Sequence, residues 1–153
     1  MKPKVMYIEN KFRDHSGPAW IGFVEFSKSG QTIYFNNKAL KKLKVPGIWG
    51  NYFDIETGEE YWVSGVKKDG RDRHRFGGRK IMIDKNSVSE YLKLVDFTVL
   101  DEKHFEFIDF EKTYKARFNE LENAETFLRN EMRAFTFYDN NRRKLISDLK
   151  YPD

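Results

Sequence analysis

Two alternating apolar segments separated by a short turn constrain the fold of this chain most strongly. Residues 20–26 read WIGFVEF, residues 31–35 read QTIYF, and Ser-Lys-Ser-Gly lies between them at 27–30. A glycine at the end of such a loop supplies the positive φ that a tight hairpin needs. In a strand, alternate side chains point to opposite faces, so Trp20 and Ile21 would face different sides of the sheet. The stretch therefore predicts a β-hairpin.

Further short apolar segments bounded by turn residues extend this pattern. They occupy residues 5–8, 50–55, 59–66 and 80–83, while residues 39–43 fit either a helical turn or a short strand. Residues 87–95 combine a capping-box spacing with apolar residues at helical spacing, which predicts a short helix. The expected fold class is α+β. Its antiparallel sheet would be small and strongly bent, or curled into a partly open SH3-like or OB-like barrel.

The composition changes about two-thirds of the way along the chain. Residues 1–96 predict a β-rich core domain with its closing helix, and residues 97–153 a strand and helix extension packed on it. Residues 97–100 and 104–108 predict strands, and from Phe110 onward apolar residues recur near helical spacing. This aromatic stripe must be buried against its own domain or another chain. A protein–protein interaction module, including a homo-oligomer formed through these helices, is therefore one candidate function.

The chain has no cysteine, which excludes disulfides, thiolate zinc sites and cysteine nucleophiles. Its first residues lack the apolar segment of a signal peptide, and no apolar run approaches the roughly 20 residues that span a bilayer. We therefore expect a cytoplasmic protein with no membrane partner. No cofactor motif is recognisable, and none is expected.

Positive charge is concentrated in the first two-thirds of the sequence. Residues 1–97 carry a net charge of +6, and residues 98–153 carry −2. Between residues 65 and 80 seven basic residues stand against only Asp69 and Asp72. A local excess of this kind attracts anions.

The basic loop at residues 67–80 predicts a non-catalytic binding module for nucleic acid or another polyanion, such as an acidic protein. Arginine and lysine bind phosphates, and nearby aromatic rings stack on unpaired bases. The candidate contact residues are Lys67, Lys68, Arg71, Arg73, His74, Arg75, Arg79, Lys80, Tyr52 and Trp62. The alternative is an ordinary solvated loop in which Asp69 and Asp72 pair with some of the arginines.

A third candidate function is that of a metal-dependent hydrolase. Asp54 and Glu56 are two residues apart on a predicted strand, so their carboxylates share a face. With Asp72 and His74 they would form an oxygen-rich metal site or an acid–base pair. Because Asp-x-Glu is common beside turns, we rank this below the two binding functions and predict no metal ligand or catalytic residue.

Two long motifs give the chain a family resemblance. SKSGQTIYFNNKAL at residues 27–40 and GNYFDIETGEEYWVSGVKKDGRDRH at residues 50–74 resemble a family of small bacterial proteins without an established function. The resemblance therefore implies no activity. Some family members carry the name 1-deoxy-xylulose-phosphate synthase, which is a large thiamine-diphosphate enzyme. This chain has no motif for thiamine diphosphate and magnesium, so the name does not fit it.

Overall fold

The computed structural model of the chain describes residues 1–11, 17–45, 47, 49–73 and 79–121. In chain order it contains β1 (Lys4–Asn10), β2 (Ala19–Phe26), β3 (Thr32–Phe35), β4 (Lys38–Lys42), β5 (Tyr52–Asp54), β6 (Glu60–Gly65), β7 (Ile81–Asp84), α1 (Val88–Leu94) and β8 (Phe105–Ile108). Short 3-10 helices occupy Lys85–Ser87 and Lys115–Phe118. The chain divides into two compact units, Met1–Lys115 and Ala116–Asp153, and these strands all belong to the first.

Six of the strands close into an antiparallel barrel. Their order is β1-β6-β5-β4-β3-β2, and β1 also pairs with β2 to complete the ring. The predicted hairpin forms between β2 and β3, with Glu25 opposite Tyr34 and Phe26 opposite Ile33. Closure removes the unpaired strand edges that an open sheet of these six strands would present. The expectation of an α+β fold with a curled sheet is confirmed.

Two more strands extend from the side of the barrel at β2. The edge of β2 that faces away from β1 pairs with β3 at its end and with β7 through Trp20 and Ile21. Strand β7 runs parallel to β2, and β8 runs parallel to β7. The expectation of a wholly antiparallel sheet is therefore wrong for β7 and β8. The connection that contains α1 is long enough for the crossover that parallel pairing requires.

Buried apolar residues form two clusters on opposite sides of β1 and β2. The barrel core consists of Ile8, Trp20, Val24, Ile33, Phe35, Leu40, Tyr61 and Val63. The helix-side core consists of Val5, Tyr7, Ala19, Ile21, Ile81, Ile83, Tyr91, Val95 and Phe105. Neighbouring residues of one strand, such as Tyr7 and Ile8, enter different cores because strand side chains alternate. Both strands are consequently buried on two faces over most of their length.

Tight turns with positive φ join the hairpins. Gly30 has a φ of 76° in the loop between β2 and β3, and Asn36 and Asn37 have φ values of 46° and 60° between β3 and β4. Asparagine tolerates this left-handed region better than most residues. Of the two predictions for residues 39–43, the short strand is correct for most of them, because β4 follows directly after this turn.

Helix α1 is confirmed, but its predicted capping box is wrong. The hydroxyl of Ser87 donates to the carbonyl of Asp84 at 2.8 Å and makes no side-chain hydrogen bond to the helix amides. Ser87 is the last residue of the preceding 3-10 helix, Lys85–Ser87. Its hydroxyl therefore bonds to a residue that precedes it in the chain and not to the amides of α1. The helix is instead held by the burial of Tyr91 and Val95 in the helix-side core.

The helical pattern expected from Phe110 is wrong at its start, because residues 110–114 have no regular structure. The backbone N–H of Phe110 donates to Asp84 Oδ1 at 3.1 Å, and its ring lies 5.8 Å from that of Phe35. The ring also covers Gly22 so closely that a Cβ there would overlap it. These contacts bind the segment to the barrel as a loop.

The predicted strand at residues 97–100 is also absent. The ring of Phe97 packs 6.0 Å from Tyr91 and 6.4 Å from Phe105. Phe97 and Leu100, which suggested a strand, therefore pack as part of a loop against the helix-side core, while Val99 is exposed.

Of the second unit, residues 116–121 are described. The 3-10 helix Lys115–Phe118 is followed by three helical residues. The helices predicted further along the chain lie outside the described residues, and their packing on the first unit stays a prediction. In the part of the chain that the structure describes, no helix combines the length and the apolar character needed to cross a bilayer.

Candidate functional site

A cleft of about 1020 Å³ opens beside the helix-side core, with Ile81 and Phe105 in its lining. The cations that line it are Lys11, Lys67, Arg71, Arg73, Arg79 and Lys103, and the acids are Glu9, Asp72 and Asp101. We call it the cationic cleft. The excess of three positive charges among these side chains makes it attractive to anions.

The loop that supplies several of these cations is folded by its own acids. Asp69 Oδ1 accepts a hydrogen bond from the backbone N–H of Arg71, and Asp72 Oδ1 accepts one from that of Lys67, both at 2.9 Å. Gly70, with a φ of 73°, donates its N–H to the carbonyl of Lys67 at 3.0 Å. The carboxylates therefore act as turn-forming acceptors for backbone amides.

Most of the basic side chains described in this loop are exposed to solvent. No ion pair of the described ranges includes Lys67, Lys68, Arg71, Arg73 or Lys80. The alternative in which the acids of the loop pair with its arginines does not hold for these residues. Of these residues, Lys67, Lys68, Arg71 and Lys80 are exposed to solvent, and Lys67 and Arg71 also line the cleft.

Arg73 is the most constrained of these cations. Its Nη2 donates to the carbonyl of Gly17 at 2.6 Å, while Nε and Nη1 are buried and have no hydrogen-bond partner within the described residues. The same holds for Asp72 Oδ2, which is buried without a partner among those residues. Burial raises the pKa of Asp72 to about 6, and the Lys67 amide and charge oppose the shift.

A buried carboxylate, Glu9, lies at the base of the cleft with an exposure of 1%. Tyr7 donates its hydroxyl to Glu9 Oε1 at 2.5 Å, and Lys11 Nζ lies 2.9 Å from Oε2. Lys11 and Glu9 thus form an ion pair at the cleft. Burial, followed by the hydrogen bond to Glu9, raises the pKa of Tyr7. Because Lys11 neutralises Glu9, it adds little to the field of the cleft.

Two tryptophans present partly exposed rings to the cleft. Trp62, with an exposure of 43%, lies on β6 between Tyr61 and Val63, which both point into the barrel core. Trp49 is 48% exposed, and its backbone N–H donates to Glu60 Oε1 at 3.1 Å. An exposed ring of this size can stack on a planar partner.

The structure brings half of the predicted contact residues together. The five that line the cleft are Trp62, Lys67, Arg71, Arg73 and Arg79. Lys68 and Lys80 are exposed but lie outside its lining. Tyr52 packs against the barrel core, where burial raises its pKa. His74 and Arg75 lie outside the described residues.

Other cleft residues escaped the sequence analysis because they come from distant segments, among them Lys11, Trp49, Asp101, Lys103 and His104. The only local signal is the spacing of Asp101 and His104, three residues apart just before β8. The ring Nδ1 of His104 lies 2.8 and 3.0 Å from the two carboxylate oxygens of Asp101. The hydrogen bond from His104 lowers the pKa of Asp101.

The acids considered for a metal site have a structural role. Asp54 is buried, and its Oδ1 accepts the backbone N–H groups of Glu56 at 2.8 Å and Thr57 at 3.3 Å. Desolvation raises its pKa. Within the described ranges no group of three or more histidine and acidic side chains is placed to hold a metal ion. Asp54 thus closes the turn between β5 and β6.

The comparisons with known proteins add no restraint on function. No protein-family model matches this chain, nor does any curated protein or solved structure. The functional conclusion therefore depends on the geometry of the cleft.

Proposed function

We propose that the protein binds single-stranded nucleic acid in the cationic cleft. The observation that carries this proposal is that Lys67 and Arg71, which are exposed and have no ion pair within the described ranges, line the same cleft as the exposed ring of Trp62. Cations track a phosphate backbone, and an aromatic ring stacks on a base whose face is free. The cations and the exposed ring of the cleft thus match the phosphates and the bases of a nucleotide chain.

The exposed ring favours a single strand over a duplex or an acidic protein. In a duplex the bases are stacked on each other, so their faces cannot reach Trp62. An acidic protein would bind to the cations, but its carboxylates would not stack on the ring of Trp62. Charge and stacking together therefore favour unpaired nucleotides, with no distinction yet between DNA and RNA.

Several sequence-based expectations belong to this proposal. An SH3-like or OB-like form of the barrel would suit it, because OB-type barrels bind oligonucleotides on a sheet face and its loops. Membership of the bacterial family, a cytoplasmic location and an acidic protein as partner stay predictions. The protein–protein function assigned to the C-terminal helices also stays a prediction, since residues 122–153 lie outside the described ranges.

Fluorescence anisotropy with labelled single-stranded and duplex oligonucleotides over a salt series tests the proposal. The affinity for single strands should fall with salt, because bound phosphates release counterions. Trp62→Ala should cost about 1–3 kcal/mol of binding free energy, the usual loss for one stacked base. Arg71→Ala should weaken binding and reduce the salt slope by about 0.7, the value for one phosphate contact on a single strand.

Lys28→Ala is the matched control for the arginine variant. Lys28 is an exposed cation on the β2–β3 loop and does not line the cleft. Its replacement removes the same charge and should leave the affinity almost unchanged. If no oligonucleotide binds at low salt, or if Arg71→Ala and Lys28→Ala have equal effects, the cleft is not the binding site.

A further inference from the structure

The pair formed by Asp101 and His104 has the geometry of a general base at the edge of the cationic cleft. The carboxylate of Asp101 holds ring atom Nδ1 of His104, so the pair fixes one ring nitrogen and leaves the other available. Both hydrogen bonds that the described structure shows for the His104 ring involve Nδ1. The histidine side chain is 74% exposed, so a substrate can reach it. A carboxylate that orients an imidazole in this way prepares its other nitrogen to accept a proton.

The turn that carries this pair is fixed by backbone hydrogen bonds. The N–H of His104 donates to Asp101 Oδ1 at 2.8 Å, and the N–H of Phe105 donates to the carbonyl of Asp101 at 3.2 Å. The carbonyl of His104 accepts the N–H of Ile81 at 2.8 Å. The backbone of His104 is therefore bonded to the start of β7 and directly precedes β8, so the position of the residue does not depend on a long loop.

The surroundings of His104 indicate which substrate it would act on. Lys67, Arg71 and Lys103 line the same cleft as His104, so a phosphodiester that these cations bind would share the cleft with the imidazole. The chain has no cysteine, and no serine or threonine is among the described side chains of the cleft lining. A nucleophile supplied by the substrate removes the need for one from the protein. In RNA, the ribose 2′-hydroxyl lies next to the phosphodiester and supplies it.

We propose that His104 acts as a general base that cleaves single-stranded RNA bound in the cationic cleft. This inference rests on the proposed nucleic-acid binding and adds a reaction to it. Nε2 of His104 takes the proton of a 2′-hydroxyl, O2′ forms a bond to phosphorus, and the bond from phosphorus to O5′ breaks. The departing O5′ takes a proton from water. The products are a 2′,3′-cyclic phosphate and a 5′-hydroxyl end, and no oxidant or further reactant is needed.

The two residues have different roles in this scheme. His104 is the catalytic residue because it contacts the reacting hydroxyl. Asp101 is a positioning residue that acts through the ring. The cleft cations stabilise the additional negative charge on the phosphate oxygens as O2′ attacks.

The test uses the full chain with a labelled single-stranded RNA, a DNA of the same sequence and the same RNA with 2′-O-methyl groups. Only the unmodified RNA should be cut, with a cyclic phosphate product. His104→Ala should slow cleavage by about 100-fold or more, in the range for loss of a general base. Asp101→Asn keeps an acceptor for the amide of His104 but no longer fixes the tautomer of the ring, so cleavage should slow although His104 is present. This variant should lower kcat with little change in KM, because the cations that bind the RNA are unchanged, whereas a general structural defect would alter both.

Matched variants separate cleavage by this protein from cleavage by a contaminating nuclease. Lys28→Ala should cleave like the natural sequence, and His104→Gln, which preserves a polar side chain, should be as slow as His104→Ala. Equal cleavage by the natural protein and His104→Ala would identify a contaminant and overturn the inference. RNA that is bound in a salt-dependent way but stays intact would overturn it and leave the binding proposal standing. RNA that is neither bound nor cut would overturn both.

Discussion

The barrel core and the helix-side core share β1 and β2 but differ in the hydrogen bonding of the polar atoms that they bury. In the barrel core, Trp20 stacks 6.2 Å from Tyr61 and meets Phe35 edge-on at 5.6 Å. The helix-side core includes Tyr7 and Tyr91, and the hydroxyl of Tyr91 is buried without a hydrogen-bond partner among the described residues. Both cores pack aromatic rings, but the helix-side core also buries a tyrosine hydroxyl without a partner among the described residues, which costs free energy.

The cationic cleft lies beside the less favourable of the two cores. Ile81 and Phe105 belong to both the helix-side core and the cleft lining, and Glu9 lies on the same face of β1 as Tyr7. Polar groups and incomplete hydrogen bonding commonly mark functional regions, where stability is compromised for function. The difference suggests that the barrel core stabilises the fold and that the helix-side core supports the site.

The largest expected effect comes from removing the central ring of the barrel core. Trp20→Ala should lower the free energy of unfolding by about 4 kcal/mol, because a buried tryptophan loses its packing and leaves a cavity. Urea unfolding measures the loss. Trp62→Ala is the control, because the loss of a half-exposed ring should lower the free energy of unfolding by less than about 1.5 kcal/mol. Similar losses for both variants would contradict the assignment of stability to the barrel core.

A second experiment compares the two tyrosine hydroxyls of the helix-side core. Tyr7→Phe removes the hydrogen bond to Glu9 and leaves a buried carboxylate oxygen without its donor, which should cost about 2 kcal/mol. Tyr91→Phe removes a hydroxyl that is buried without a partner in the described part of the chain, so its effect should lie between neutral and a gain of about 1 kcal/mol. Thermal unfolding of both variants checks the order. A larger loss for Tyr91→Phe would show that its hydroxyl has an internal partner.

The smallest effect concerns Asp72 and depends on pH. Its pKa in the folded protein is about 6, above the ordinary value of 3.8, so the folded state holds this proton more tightly. The stability that the proton provides is complete below pH 3.8 and is lost as the pH rises through about 6. Asp72→Asn keeps the acceptor for the Lys67 amide and carries no charge. Its free energy of unfolding should match that of the natural protein at about pH 3.5 and exceed it by about 1 kcal/mol at about pH 7.5. This difference is smaller than the pKa shift alone would give, because Asp72 is partly exposed and solvent screens its charge.

Asp69→Asn is the matched control for this pH series. Asp69 is exposed on the same loop, and an asparagine would keep the acceptor for the Arg71 amide. Urea midpoints across the pH range should show no comparable gain for this variant. Equal gains would mean that general repulsion among surface charges causes the effect at Asp72.

Local pattern predicted the elements that depend on local chemistry. The hairpin of β2 and β3 follows from alternation around Gly30, and α1 follows from the spacing of Tyr91 and Val95. The parallel pairing of β7 and β8 could not be predicted, because a strand's sequence does not identify its partner. The helical spacing at Phe110 misled for a related reason: its ring packs on the distant Phe35, which no sequence window contains.

The candidate site divides in the same way. Charge density along the sequence identified Lys67, Arg71 and Arg73, which are neighbours in one loop. Trp49 and His104 reach the cleft only because the sheet brings their segments to it. The roles of Asp69 and Asp72 were also beyond sequence analysis, since a carboxylate between arginines reads equally well as an ion-pair partner or as an acceptor for backbone amides.

The double burial of β1 and β2 also restricts how the chain can reach its native state. A shift of β2 by one residue would send Trp20 toward the space that holds Ala19 and Ile21, and would place their smaller side chains in the barrel core. Overpacking on one side would then coincide with voids on the other. A misaligned β2 is therefore disfavoured in both cores at once, so misaligned pairings should be unstable and should not persist during folding.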